Sequence, residues 1–360
     1  PLVLVLDDLQ WADLPSLELL RFVASADALA GAPVLLACTV RELEVGRNDT
    51  VVETLATLSR APATRRLTLR GLPPVAVAEL VAVAAGRELP AEVTAAITDR
   101  AEGNPFFAAE LARLAADAGG DVEALGAVSP GGDVPSGVRD VVRRRLARLP
   151  ESTQRLLGIA AVVGRDVELA LLARAAGQDI ESVVDDLDPA VVQRLLVPVP
   201  ELPGTVRFSH ALVREVVVDD VSALRRARTH LRIADAIAET AAGDDDAAEI
   251  LAEHLWAAAP VGVGRRAAEA LERAAEVAVR RFAFEAAEGM LERAVQLRRS
   301  AAGAADGVQP ELTAACRLLS LQRSLHGYAS VGDSALLRRA IELARRAGDD
   351  EVLARLLWTE

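Results

Sequence analysis

Five consecutive branched apolar residues, Leu2 to Leu6, open the chain and stop at Asp7-Asp8. An unbroken run of that kind predicts a strand buried on both faces of a parallel sheet. Leu14 to Leu29 then has helical spacing, with Leu17, Leu20 and Val23 on one side. A second apolar run, Ala32 to Glu42, predicts a second strand that delivers Thr39 and Arg41 to its carboxyl end. Arg65 to Leu72 reads as a further short strand closing the sheet.

From Pro73 the period becomes helical. Val75–Ala85, Ala91–Ala101 and Phe106–Ala118 predict a small helical lid, with Gly103 stopping one helix and Pro105 starting the next. Gly119 to Pro135 is rich in Gly, Asp and Pro and reads as a linker. Helices are predicted over Ser136–Leu149, Ser152–Val163, Val167–Ala176 and Ile180–Leu195. Pro150 ends the first, and Ser152 can cap the second. Leu196 to Phe208 predicts a hairpin with a Pro-Gly turn. Three helices and a hairpin are the outline of a winged helix.

Beyond Gly243 the pattern is alanine-rich helix without heptads. Arg265–Arg280 and Ala283–Arg299 form one predicted pair, Pro310–Leu325 and Ser334–Ala347 another, and a third begins near Glu351. Leu291-Glu-Arg-Ala-Val-Gln-Leu297 resembles Leu337-Arg-Arg-Ala-Ile-Glu-Leu343 at an offset of 46 residues. Ala268, Ala275, Ala286 and Ala294 allow close helix approach. This is the pattern of a TPR-like solenoid, with a period longer than the usual one of about 34 residues. The fold class is therefore α/β followed by all-α. The expected domains are a sheet-bearing part over 1–72, a lid over 73–120, a linker over 121–134, a winged helix over 135–243 and helical repeats over 244–360.

Composition narrows the function classes. The 360 residues are 51% hydrophobic and only 3% aromatic, which favours packed helices over β-sandwiches. A net charge of −13 argues against a surface devoted to nucleic acid. No apolar run is long enough to span a bilayer and no signal peptide is visible, so a cytoplasmic chain without membrane contact is expected. Cys38 and Cys316 read as reduced core thiols. Arg139 and the basic cluster Arg143 to Arg148 could touch phosphates. However, they lie on the first helix of the winged-helix outline, and the helix in the recognition position carries Glu181, Asp185, Asp186 and Asp188. Direct DNA binding is not expected.

The chemistry centres on the ends of the two strands. Adjacent carboxylates at a strand's carboxyl end face the crevice where open α/β sheets bind ligands. One carboxylate can hold Mg²⁺, directly or through its water, while the next orients or deprotonates an attacking water. The bland alternative is a polar turn in which Asp8 or Asp13 caps the following helix. Arg41 suits a phosphate, because its guanidinium fork reads oxygens bidentately; alternatively it is a surface Arg after a buried strand.

Leu6-Asp-Asp-Leu-Gln-Trp-Ala-Asp13 resembles the Walker B segment of STAND-type signalling ATPases, particularly large ATP-binding LuxR-type transcriptional regulators and their maltose-regulator relatives. Thr39 and Arg41 resemble sensor 1, and Gly103-Asn-Pro105 resembles the Gly-x-Pro motif whose proline lies near adenine. Phe208-Ser-His-Ala-Leu-Val-Arg-Glu215 resembles the signature at the end of the winged helix. The four segments occur in the family's order, and the resemblance covers nearly the whole chain.

The resemblance implies ATP or ADP with Mg²⁺, the ion held by Asp7 through its water, catalytic Asp7 and Asp8 with Asp8 the acid/base or water-orienting group, and nucleotide contacts at Thr39, Arg41, Gly103, Pro105 and His210. In the alternative, His210 is a polar residue at the start of a helix capped by Ser209. An inducer or protein partner at the repeats and self-association on activation are also implied.

The departure is the phosphate loop. The chain contains no lysine, so Gly-x-x-x-x-Gly-Lys-Ser/Thr is absent. The chain is then either an internal fragment of such an ATPase or a degenerate relative; Pro1 in first position favours the fragment, which is expected to be inactive alone. The alternatives are a non-enzymatic repeat module that binds a partner, and the same core joined to a cyclase or kinase effector.

Overall fold

The computed structural model describes residues 1–25, 31–41, 49–60, 64–117, 119, 134–241, 243–301, 308–327 and 335–358. The chain is mostly helical with a small parallel sheet, and it divides into two compact units, Pro1–Pro73 and Pro74–Glu360. No described helix is long and apolar enough to cross a membrane.

In the first unit, β1 (Leu2–Leu6) pairs in parallel with β2 (Val34–Cys38), with Leu2 opposite Val34 and Leu6 opposite Cys38. Between them lies α1 (Leu14–Ser25), which packs against α2 (Asp49–Arg60) through Leu17, Leu20 and Val51, all buried. Asp13 starts α1 by accepting the Ser16 amide at 2.9 Å, and hydrogen bonds from the Ser16 side chain first and this amide second hold its carboxyl below the usual range.

Two expectations fail here. β1 is not buried on both faces: Leu2, Val3, Leu4 and Val5 are between 47% and 62% exposed. Burial of a parallel strand needs a layer on each face, and the two described helices of this unit spend their apolar sides on each other. Arg65–Leu72 forms no strand either; Leu67 and Leu69 are exposed along it, and among the described residues no sheet partner meets it. Cys38 is likewise exposed rather than a core thiol, and Cys316 is half-buried.

The second unit begins with α3 (Pro74–Ala85), α4 (Ala91–Ala101) and α5 (Pro105–Asp117). α5 packs on both of the others through Phe107, Leu111 and Leu114, facing Val77, Val81, Val93 and Ile97. The Gly-, Asp- and Pro-rich stretch expected as a linker lies outside the described residues over 120–133.

Next come α6 (Val134–Ala147), α7 (Glu151–Val163), β3 (Asp166–Glu168), α8 (Leu169–Ala176), α9 (Ile180–Val192), β4 (Leu196–Pro198), β5 (Thr205–Phe208), α10 (Ala211–Asp219) and α11 (Ala223–Thr240). The expected hairpin is present, with Leu196 opposite Phe208 and Gly204 at φ 78° in its turn. The sheet order is β3-β5-β4, so a third strand joins it. That strand corrects the helix expected from Val167: the β-branched, fully buried Val167 pairs with Val206 instead. Ser152 does not cap α7 either; the helix begins at Glu151 behind Pro150, with no side-chain cap. One apolar core, including Leu157, Leu172, Leu187, Leu196, Phe208 and Val216, joins these elements.

From α11 onward each helix packs against the next: α12 (Asp245–Ala258), α13 (Gly264–Arg280), α14 (Phe284–Ala301), α15 (Gln309–His326), α16 (Ala335–Ala347) and α17 (Asp350–Leu357). Alanines at Ala275, Ala287, Ala294, Ala315 and Ala340 are buried between them, so small residues set the spacing. The two similar heptapeptides fall on α14 and α16.

Candidate functional site

The parallel register of β1 and β2 brings two distant stretches of sequence together at their carboxyl ends. Thr39 donates its hydroxyl to Asp7 Oδ1 at 2.5 Å, and its Oγ1 accepts the Asp8 amide at 2.8 Å. The Thr39 amide donates to Leu6 O at 2.9 Å, and the Leu9 amide to Thr39 O at 3.0 Å. Asp8 itself sits in the left-handed region at φ 58°, which an Asp tolerates better than most residues. This turn leads the chain into a short 3-10 segment at Leu9–Trp11.

Gln10, nearly buried, completes the junction. Its amide nitrogen donates to Asp8 Oδ1 at 2.8 Å, and its amide oxygen accepts the Arg41 backbone N–H at 3.2 Å. Arg41 Nε lies 3.3 Å from Asp8 Oδ1, and its guanidinium stands 5.1 Å from the Trp11 ring centre. Asp8 makes no helix-capping bond, so the capping alternative holds for Asp13 and fails for Asp8. Gln10 and Trp11 carry this arrangement as much as the four residues singled out in the sequence. Their clue was position alone, directly after the acidic pair.

The oxygen donors here suit a hard cation, but among the described residues no cluster of three or more His, Cys, Asp or Glu side chains could hold a metal unaided. Mg²⁺ characteristically takes one or two carboxylates and completes its octahedron with water and substrate phosphate. Asp7 and Asp8 fit that use.

The remaining sequence-selected residues lie in the second unit. Ala101 ends α4, Glu102 and Gly103 take positive φ of 47° and 78°, and Pro105 is the first residue of α5. Asn104, which the sequence reading passed over, caps α5 by accepting the Phe107 amide at 3.1 Å. Beside exposed Pro105, the Phe106 ring stacks on His210 with centroids 3.8 Å apart and planes 18° from parallel. His210, not Ser209, is the cap of α10: its Nδ1 accepts the Leu212 amide at 3.1 Å. An accepting Nδ1 places the proton of the neutral ring on Nε2, making that atom a donor. The structure thus brings the Gly-Asn-Pro and Phe-Ser-His segments together through Phe106 and His210.

Three of the basic residues of α6 are tied to carboxylates of the same chain. Arg139 pairs with Asp219 and, at 3.3 Å, with Glu215. Arg143 pairs with Asp220 at 3.1 Å, which raises its pKa. Arg145 is buried against Glu110.

No family model and no curated protein matches this sequence. Among solved structures, one that is similar is the signal transduction ATPase with numerous domains (STAND) protein with a tetratricopeptide repeat sensor from Pyrococcus horikoshii. Identity is 13% and the TM-score 0.40, over 99% of this chain and 61% of that one. The chain therefore spans less than two thirds of that protein's length. Likeness at this TM-score assigns no role to any residue.

Proposed function

We propose that this chain carries the acidic and arginine-bearing half of the nucleotide site of a STAND-type signalling ATPase, similar to large ATP-binding LuxR-type regulators of transcription. The observation that supports this most is the junction at Thr39. Two carboxylates, a hydroxyl and a guanidinium, over 30 residues apart in sequence, meet at the carboxyl ends of neighbouring parallel strands, where open α/β sheets bind ligands.

Asp7 would hold Mg²⁺ through a water, and the ion would supply neutralising charge to the nucleotide phosphates. Asp8 orients the attacking water and accepts its proton. Gln10 and Thr39 fix both carboxylates. Arg41, ion-paired to Asp8, is placed to read a terminal phosphate bidentately. Within the second unit taken by itself, the family resemblance supports Gly103, Pro105 and His210 as nucleotide-contact residues, with Nε2 the donor atom of His210. The helices and antiparallel sheet of 134–241 act as a winged helix in which Arg139, Arg143 and Arg145 are paired with carboxylates of the same chain, which disfavours DNA as its ligand.

The serial helices of 245–358 act as a TPR-like sensor for an inducer or protein partner, with ADP holding the resting state and ATP exchange permitting self-association in the cytoplasm. The serial packing also favours a second reading, in which the chain is a non-enzymatic module that binds a protein through these helices.

The lysine that grips the β and γ phosphates in a Walker A loop has no counterpart in this sequence. This chain therefore binds ATP weakly and does not turn it over. Calorimetry with ATP and Mg²⁺ on the chain as it stands tests this. The expected dissociation constant is about 0.1 mM or weaker, roughly −5.5 kcal/mol or less in magnitude. Sub-micromolar binding overturns the expectation that this chain binds ATP weakly.

A further inference from the structure

The nucleotide reading makes no use of His230 and His254. His230 lies on α11, the last helix packed into the module around the antiparallel sheet, and His254 on α12, the first helix of the serial array. Their Nδ1 atoms are 2.8 Å apart, with ring centres at 5.0 Å. His254 is buried and His230 half-buried. Two Nδ1 atoms at that distance share one proton, so one ring donates and the other accepts. A second proton on the Nδ1–Nδ1 line makes both rings donors and ends the bond.

The surroundings give charge little support. One turn from His230 on α11 stand Arg226 and the apolar Ala227, Ile233 and Ala234; one turn from His254 on α12 stand Ile250, Leu251 and Ala258. α13 contributes Ala267 to the apolar cluster with Ala234 and Leu255, and the neighbouring 3-10 turn is Ala259-Pro-Val261. Among the charges on these helices, Glu253 pairs with Arg293 and Asp235 with Arg266. Arg226 is the charged side chain that acts on the pair, and as a cation it opposes protonation.

We infer that the His230–His254 pair is an acid-sensitive joint, in which protonation separates α11 from α12 and uncouples the helical array from the module that precedes it. Burial first, then His230, pushes His254 down to about 4; burial first, then Arg226, pushes His230 down as well. The sign follows from the unfolded chain taking up protons more readily than the folded one. The joint is at full strength above the ordinary histidine value of about 6.5 and weakens as pH falls from there toward about 4. Over that window the folding equilibrium of the joint shifts up to about a hundredfold.

The test uses the full chain carrying Trp11→Phe and Trp358→Phe, both at exposed positions, so that Trp256 on α12 reports alone. Urea unfolding by Trp256 emission is followed from pH 8 to pH 4.5, beside His254→Gln and the double variant His230→Leu/His254→Leu. The midpoint is expected to stay level down to about 6.5 and then fall, with much of the fall lost in both variants. A fall of the same size in the variants assigns it to carboxylates and overturns the joint. Should a variant fail to fold, imidazole ¹⁵N spectra of the wild type decide. Coupled titration starting below the ordinary histidine value supports the joint, and two independent curves at that value overturn it.

Discussion

Glu110 and Arg145 are the most deeply buried charges described in the chain, each about 1% exposed, and they face one another between α5 and α6. Glu110 also takes Arg113 on its other oxygen, and Arg145 donates to the Gln193 carbonyl at the end of α9. Such a pair contributes little by itself, because desolvation of both charges offsets most of their attraction. Removing one partner leaves the other charged and dry. Glu110→Gln is therefore expected to destabilise the second unit by about 3–5 kcal/mol, and Glu110→Met with Arg145→Met by much less. Urea unfolding of the single and double variants measures this; equal losses in both would contradict it. At this scale Asp7, Asp8, Thr39 and Arg41 were legible in the sequence, since each stands at the end of an apolar run. Gln10, Asn104 and the Glu110–Arg145 pair were not, because their roles arise from partners that only folding brings close.

Among the elements, the turn between α13 and α14 holds a strained residue. Phe282 takes φ 61° and is 79% exposed, with its ring edge-on to Phe284. The helix ends there because the Ala283 amide reaches back to Ala278 O, a closure that requires a left-handed residue and ordinarily uses glycine. Phe282→Gly relieves the strain at some cost in chain entropy and is expected to stabilise by about 0.5–1 kcal/mol. A fall in thermal unfolding temperature would contradict that. Helices were the most legible elements, since their apolar period is set locally. The strands were less so. β3 has three residues, too few to show alternation, and Arg65–Leu72 has an apolar pattern but, among the described residues, no sheet edge that pairs with it.

Across the whole molecule, the acidic pair with Thr39 and Arg41 belongs to one compact unit, and Pro105 with His210 to the other. The order of the four segments along the chain was readable, because order is a property of sequence. The exposure of β1 was not. Apolar composition predicts what a strand would bury, while actual burial depends on the layers that meet it.

The central claim is that Asp7, Asp8, Thr39 and Arg41 form a Mg²⁺- and phosphate-facing site. Amide NMR during titration of the chain with ATP, with and without Mg²⁺, reads this most directly. The account predicts weak, Mg²⁺-dependent shifts at the amides of Asp7 to Trp11 and Thr39 to Arg41, abolished by Asp7→Asn. Saturating shifts elsewhere, with those amides unmoved, would contradict it.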